Sequence, residues 1–458
     1  MKVLLVQPGP SRLTRIVNIP ARPEPLNLAI LAASIPDHEV RIVDLRSRSR
    51  ALGPMLTEFE PDVVGVTSLT TEVNEARKVL RDVRAFSPEI LTVAGGIHAS
   101  LVCKDFQLPA VDVIVVGEGE LTFPDLLRHH AEGRSLAGVP GIRYRDRRSG
   151  AWHSTGPRAE RVVLDQLALP RRDLTEAAGP RYPFFFCKDM ASIETARGCP
   201  FGCRFCSVWA MHGRTYRAMS PERVLAELAT VRQRDTLFVD DNFLHDVDRA
   251  DRIADLVKAE GLRKTYAMQA RSDTIARHPR LIKKWKALGL RGILVGFETP
   301  SSERLKRLNK ANTVDLNERA IRIMHEYDVA IWAAFIVDPD FTEDDFKMLA
   351  EYVRKNRISI KQFTVLTPLP GTPLFDERYD DLITHDYRYF DCFHSVLPTR
   401  MEAEKFYRRF ASLYRLVGIR KQISNILKGH HHIEDLLVGF RVMRSLANPQ
   451  TYLRDYPK

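Results

Sequence analysis

Three thiols, Cys199, Cys203 and Cys206, fall within eight residues of one another. Their spacing is C-x3-C-x2-C. Three thiolates can bind three irons of a cubane cluster and leave the fourth iron without a protein ligand. An open coordination site is a catalytic arrangement rather than a structural one. A structural zinc site would need a fourth ligand, and His212, six residues beyond Cys206, is one the sequence offers. Phe205, just before the third cysteine, can shield a cluster. The remaining cysteines, Cys103, Cys187 and Cys392, are scattered and read most simply as core or surface thiols, although Cys187 and Cys392 are not strictly excluded from the active site. A disulfide scaffold would be denser and shorter.

The elements around the triad should position it. It directly follows an apolar strand pattern at Ala191–Arg197, the first of a series. Further strands are expected at Thr236–Asp240, Thr265–Ala270, Gly292–Phe297, Val329–Val337 and Lys361–Thr367, with helices between. Ser220 and Pro221 open one helix as N-cap and first residue, and Gly261 closes the next. Six βα units in residues 191–375 predict a partial (β/α)6 TIM-like barrel, whose chemistry sits at the carboxyl ends of the strands. Polar residues stand there: Asp240 and Asp241 after the second strand, Arg271 and Ser272 after the third, and Glu298 after the fourth.

Residues 1–130 show another alternation. Short runs of Val, Ile and Leu at Lys2–Gln7, Glu39–Leu45, Val63–Leu69, Leu91–Gly96 and Val111–Gly117 read as strands of a doubly wound, Rossmann-like parallel sheet. Helices or helical turns are expected at Pro25–Ile35, Glu72–Phe86 and Ala99–Phe106. Three strand ends carry small or polar residues: Ser68, Leu69 and Thr70; Gly95, Gly96 and His98; Gly117, Glu118 and Gly119. There is no G-x-G-x-x-G after the first strand, where Gly9 stands alone, and no G-x-x-x-x-G-K-S/T, which argues against a dinucleotide or nucleotide triphosphate. Residues 131–190 read as a hairpin and linker. Residues 376–458 read as helical and basic.

The net charge of +11 suits an acidic partner or a solvated basic face. No secretory signal pattern opens the sequence. The longest clean apolar run, Ala330 to Val337, is too short to span a bilayer. A cytoplasmic protein is expected.

The segment ETARGCPFGCRFCSVW, in its strand-then-cysteine context, resembles the radical S-adenosylmethionine (SAM) superfamily. That resemblance implies a 4Fe–4S cluster on Cys199, Cys203 and Cys206, with SAM chelating the open iron. One-electron reduction then yields methionine and a 5′-deoxyadenosyl radical. It further implies SAM contacts from Phe205 at the adenine, Asp240 and Asp241 at the amino group, Arg271 and Ser272 at the carboxylate, and Glu298. The first domain resembles the cobalamin-binding domain upstream of many such barrels. This implies cobalamin contacts from Ser68, Leu69, Thr70, Gly95, Gly96, His98, Gly117, Glu118 and Gly119. The better-known cobalamin domains carry D-x-H-x-x-G after the first strand; here that loop reads QPGPSRLTRI. Cobalt would therefore lack a His from this loop, and His98 is expected to be structural or to contact the nucleotide tail.

Both cofactors together imply methylation of an unactivated carbon through a substrate radical and methylcobalamin. CSVWAMHGRTYRAMSPERV, FIVDPDFTEDDF, TVLTPLPGTPLF and YRYFDCFHSVLPT are similar to segments of hopanoid C-3 methylases, which points to a small-molecule or lipid substrate. A flavodoxin- or ferredoxin-type electron donor and peripheral contact of the basic tail with an anionic membrane are implied, and no nucleic acid. The alternative is oxidative cyclisation or rearrangement, as in tetrapyrrole cyclases of the same layout. A methylthiotransferase acting on tRNA would carry further N-terminal cysteines, yet the first is Cys103. A cobalamin sensor would leave the three clustered cysteines without a purpose. The His430–His432 run reads as an exposed loop.

Overall fold

The computed structural model describes all residues except 12, 14–21, 48–50, 179–181, 185–186, 188, 359, 416–440 and 457–458. Two compact units emerge, one from Met1–Arg15 and Pro23–Tyr182, the other from Ile16–Arg22 and Pro183–Lys458.

The first unit is built on a sheet of β1 (Lys2–Gln7), β2 (Glu39–Asp44), β3 (Val63–Thr67), β4 (Leu91–Gly95), β5 (Val113–Val115), β6 (Ile142–Arg145) and β7 (Trp152–Ser154). The strand order is β2-β1-β3-β4-β5-β6-β7. The first five run parallel, and their branched residues, Val3, Leu5, Ile42, Val63, Val93 and Val113, are buried in the core. The hairpin β6–β7 extends this sheet antiparallel, with Tyr144 opposite Val113. Asp112, just before β5, fastens this edge. It accepts hydrogen bonds from Thr92 N at 3.0 Å and from Arg147 Nε at 3.0 Å, and pairs with Arg84 at 2.5 Å. The chain leaves β1 in opposite directions for β2 and β3, which makes the carboxyl ends around β1 and β3 the ligand crevice of such a sheet. Helices Leu26–Ala33 and Val73–Phe86 fall where the apolar pattern predicts them. Ala99–Phe106 resolves into a short helix, Ile97–Leu101, and a 3-10 turn, Cys103–Phe106. Leu52–Phe59 and Gly119–Ala131 are further helices that the pattern reading lacked.

The second unit contains β8 (Met190–Ile193), β9 (Ala196–Arg197), β10 (Arg217–Ala218), β11 (Asp235–Phe238), β12 (Thr265–Ala270), β13 (Leu290–Glu298), β14 (Ala330–Val337) and β15 (Ile360–Val365). Six of them form an all-parallel sheet in the order β15-β14-β13-β12-β11-β8. Ser220 caps the helix Pro221–Thr230 by accepting from Arg223 N, and Gly261 (φ +67°) follows the helix Val247–Ala259, a conformation glycine adopts without a Cβ clash. The buried rings of Phe238, Phe243, Tyr266 and Trp285 pack together behind β11 and β12, and Phe335 lies between Phe297 and Phe363.

One expected strand breaks. Ala191–Arg197 becomes β8 and β9 because Asp240 draws off the backbone N–H groups of Thr195 and Ala196. The chain turns there, and β9 pairs antiparallel with β10. The C-terminal region is helical as expected, its described helices including Ala403–Tyr414 and Gln450–Leu453, after an irregular opening stretch. Between 376 and 402 its regular elements are the end of a short helix (Pro373–Glu377) and two 3-10 turns. The helix Ala403–Tyr414 then docks on β15, where the Tyr414 hydroxyl donates to Phe363 O at 2.6 Å and accepts from Phe363 N at 3.1 Å. His430–His432 and much of the basic tail lie outside the described residues. No described helix is long and apolar enough to cross a membrane.

Candidate active site and cofactor crevice

The cysteine loop begins where β9 ends and returns through β10. Gly198 (φ +87°) must be glycine, since a Cβ there would strike Thr215 O and lie 2.9 Å from His212 Cβ. The Trp209 indole donates to Cys203 O at 2.8 Å, and Cys206 N donates to the same carbonyl at 3.1 Å. A second loop, residues 308–311, clasps the first: Arg204 N donates to Leu308 O at 3.1 Å and Asn309 Nδ2 to Gly202 O at 2.7 Å. Burial pushes all three thiols up, Cys206 to about 12, so an uncoordinated loop carries thiols rather than thiolates. Metal ligation deprotonates a thiol outright. Among the described residues no three His, Cys, Asp or Glu side chains converge on a single ion. A cubane does not ask for that, because each thiolate takes its own iron. The donor set therefore fits a cluster better than a lone zinc.

The strand-end residues divide into two groups. Three of the expected SAM contacts are engaged by the protein itself. Asp240 is buried, accepting from Thr195 N at 2.6 Å, Thr195 Oγ1 at 2.5 Å and Ala196 N at 3.1 Å. Burial pushes its pKa up to about 7 against these hydrogen bonds and the charge of Arg249. Arg249 secures the same junction through Thr195 O and Met219 O. Ser272 is buried between Asn312 and Asn317 at 2.6 Å from each. Arg271 gives Nε to Asp273 at 2.9 Å and Nη2 to the carbonyls of Lys310 and Ala311, both at 2.9 Å. Its guanidinium lies 3.7 Å from the centroid of the Phe201 ring, inside the cysteine loop. Asp240, Ser272 and Arg271 thus brace the site through these bonds.

Asp241 and Phe205 differ, while Glu298 is again paired within the protein. Asp241 is open to solvent yet recessed between strand ends. That recess, with the nearby Glu194 carboxylate, pushes its pKa up to about 6. Its charge bears on Cys199 and Cys206. Phe205 is half-buried. Glu298 ends β13 in the left-handed region (φ +63°) and pairs with Lys310 Nζ at 2.5 Å. The pattern reading missed Lys310 and Asn309; the only sequence cue is the polar run Asn309-Lys310-Ala311-Asn312-Thr313. Of the other thiols, Cys187 packs with Phe184 and Trp332 against Met190, Leu237 and Ala267. Cys392 stands where its carbonyl accepts from Val365 N, at the end of β15.

In the first unit the expected crevice residues sit on the adjacent ends of β3, β4 and β5. Gly96 (φ +89°) is obligatory, since a Cβ would lie 2.6 Å from Thr67 Oγ1 and 2.9 Å from Ser68 N. A Cβ on Gly95 would touch only Val115, and one on Gly117 would meet open space. Glu72 ties the β3 loop to β1, accepting from Leu69 N at 3.1 Å and Gln7 Nε2 at 3.0 Å. His98 is fully buried, its ring nitrogens 3.2 Å from Thr70 Oγ1 and 3.0 Å from Asp105 Oδ2. Its ring therefore ties the Thr70 and Asp105 loops together. Gly119 opens the helix Gly119–Ala131 beside Leu31, just after Glu118 at its N-cap. Leu69 and Ile97 remain 50% and 42% exposed. Open glycines beside exposed aliphatic side chains fit a large, partly apolar ligand such as a corrin.

A thiol triad just beyond the first strand of a six-stranded parallel sheet, and a doubly wound sheet with an open crevice, fit a two-cofactor radical enzyme. Residues 193–353 match the Radical SAM superfamily and residues 13–127 the B12 binding domain. The chain is 30% identical to the hopanoid C-3 methylase of Methylococcus capsulatus, over 100% of this chain and 89% of that protein. It is 28% identical to the anaerobic magnesium-protoporphyrin IX monomethyl ester cyclase of Rubrivivax gelatinosus, over 80% of this chain and 67% of that one. Its fold is similar to that of the radical SAM methyltransferase TsrM from Kitasatospora setae, solved with cobalamin and a 4Fe–4S cluster. The TM-score is 0.70 at 18% identity, over 91% of this chain and 89% of that one. The chain belongs to the cobalamin-dependent radical SAM family. Within it the chain is a methyltransferase, with a 4Fe–4S cluster, SAM and cobalamin as cofactors.

Proposed function

We propose that this enzyme methylates an unactivated carbon of an apolar polycyclic lipid of the hopanoid type. The observation that carries this reading is the end-to-end likeness to a hopanoid C-3 methylase. Residues 1–130 are assigned to cobalamin, 131–190 to hairpin and linker, 191–375 to the radical barrel, and 376–458 to the C-terminal region.

When bound, the cluster supplies the electron that splits SAM, and cobalamin carries the methyl group. Cys199, Cys203 and Cys206 hold the cluster, and Trp209, Asn309 and Arg271 keep their loop in place. Asp241 accepts from the SAM amino group, Phe205 covers the adenine, and Glu298 adds a buried carboxylate. Ser68, Leu69, Thr70, Gly95, Gly96, Gly117, Glu118 and Gly119 shape the cobalamin crevice, with His98 bracing it from behind. The net positive charge suits an acidic flavodoxin- or ferredoxin-type donor. It also suits an anionic membrane surface, where an apolar lipid substrate would be met.

The test is turnover of the anaerobically reconstituted enzyme with methyl-labelled SAM and a mixed lipid extract. Label in a polycyclic lipid is the expected result. The cyclase of Rubrivivax gelatinosus supports a second reading. SAM cleavage with a cyclised tetrapyrrole and no labelled lipid would overturn methylation in its favour.

A further inference from the structure

We propose that the exposed flank of the cysteine loop, at Trp209 and Arg214, is the surface on which an acidic one-electron donor protein docks to reduce the cluster. This rests on the cluster and donor readings above and names the surface they require. Two other flanks of the loop are taken up within the protein. Arg271 lies against Phe201, and residues 308–309 clasp Arg204 and Gly202. Trp209 is half-buried and donates to the carbonyl of Cys203, the buried thiol of the triad. Arg214 is exposed and covers one face of Trp209, its guanidinium 4.6 Å from the ring centroid. It also lies beside Gly202, where a Cβ would meet it at 3.2 Å. An electron arriving here meets a packed ring, a hydrogen bond and a peptide in succession before Cys203. Electron transfer weakens steeply with every gap in such a path, and this one has none.

The backbone is strained to put Arg214 there. The helix Val208–His212 stops at Gly213 (φ +63°), and Arg214 follows at +55°, left-handed in its turn. A residue with a long side chain seldom adopts that angle, and strain of this kind concentrates at functional sites. The two left-handed residues turn the chain back, so that Arg214 N donates to Trp209 O at 3.1 Å. More positive charge flanks this point. Lys306 and Arg307 end the helix Ser302–Arg307, and the next carbonyl, Leu308 O, accepts from Arg204 N. Exposed ion pairs occupy Arg204 with Glu377 and Arg307 with Glu303. Asp340 lies between Arg304 at 2.6 Å and Arg307 at 3.6 Å. Among the described residues no carboxylate pairs with Arg214 or Lys306, so these two carry the unbalanced charge of the face. Tryptophan and arginine are favoured at protein interfaces, and clustered positive charge steers an acidic partner to its encounter. Redox encounters bury little area, which suits a patch of this size.

The test drives SAM cleavage in the reconstituted full chain with excess dithionite, which needs no docking surface, or with an acidic flavodoxin kept reduced by its reductase, or with a reduced acidic ferredoxin. The donor gives up one electron, the cluster gains it, and 5′-deoxyadenosine is counted. Arg214→Glu/Lys306→Glu should slow the protein-driven rate about tenfold or more at low salt and leave the dithionite-driven rate unchanged. Added salt should slow the wild-type chain towards the variant, because exposed charges are screened. Should the double variant load less iron, Lys306→Glu alone, on an exposed helix end, should show a smaller loss with the same selectivity. Wild-type rates with both protein donors in these variants would overturn the proposal. So would equal losses with protein donor and dithionite, which would make the two residues braces of the loop. A wild-type chain that dithionite reduces and neither protein donor does would overturn it as well. A wild-type chain that dithionite cannot reduce fails at the earlier step and sinks the cluster assignment, with this proposal on it.

Discussion

The crevice at the ends of β3, β4 and β5 and the mouth of the partial barrel solve different problems with different materials. The crevice is held from behind by Glu72 and His98, and what it presents forward is glycine backbone, hydroxyls and the exposed side chains of Leu69 and Ile97. The barrel mouth instead buries charge: Asp240 within the influence of Arg249, and the ion pairs Arg271 with Asp273 and Glu298 with Lys310. A large neutral ligand needs shape and apolar contact. A cluster and a zwitterion need fixed charge in a low-dielectric site, where electrostatic interactions are strong. The contrast teaches that one chain can specify one cofactor by volume and the other by charge, so the two should respond to different substitutions.

The comparison breaks most visibly at the cysteines. Replacing Cys199, Cys203 and Cys206 together by alanine should abolish iron binding and SAM cleavage and leave cobalamin binding intact, as read by metal analysis and 5′-deoxyadenosine production. Retained cleavage would remove the triad from the chemistry. Arg271→Met comes next. It leaves Asp273 with Arg277 at 3.5 Å and two carbonyls without their donor, so the barrel unit should lose about 1–3 kcal/mol in denaturant unfolding and load less iron. Lysine should not rescue it, because one ammonium cannot reproduce the fork and the stacking on Phe201.

The crevice should answer to volume alone. Gly95→Trp should weaken cobalamin binding tenfold or more with iron content unchanged; a wild-type affinity would take Gly95 out of the site. Gly96→Val should do the same while also lowering stability, since it adds a clash with Thr67 and Ser68 and a disfavoured backbone angle. The smallest effect lies at the sheet edge. Burial raises the Asp112 pKa, but Arg147, Thr92 and Arg84 outweigh it and hold it below the ordinary 3.8. A depressed carboxylate contributes stability above its unfolded pKa and loses it as pH falls through the folded value. The wild-type thermal midpoint should therefore drop more steeply below about pH 4 than that of Asp112→Asn, which starts lower at neutral pH.

Both sheets were legible as runs of branched apolar residues, because strands buried on two faces leave little else in their pattern. The cysteine spacing was legible for the same reason a ligand set always is: the chemistry fixes it locally. The strand-end polar residues were legible only as to place. Asp240, Asp241, Arg271 and Ser272 all follow strands, but which of them turns toward the site depends on partners from distant segments: Thr195 for Asp240, the 310–311 carbonyls for Arg271, Asn312 and Asn317 for Ser272. The break between β8 and β9 was hidden likewise, since the apolar run continues through it while Asp240 takes its hydrogen bonds from another strand's end. Lys310 lies in a loop whose only local signal is polarity.

Anaerobic reconstitution with iron, sulfide and hydroxocobalamin, followed by metal analysis and visible spectra, tests the central claim most directly. The account predicts about four irons and one cobalt per chain. It also predicts that Gly95→Trp lowers only the cobalt and the triple cysteine variant only the iron. Iron without cobalt in the wild-type chain, or the loss of both metals from either variant, would contradict it.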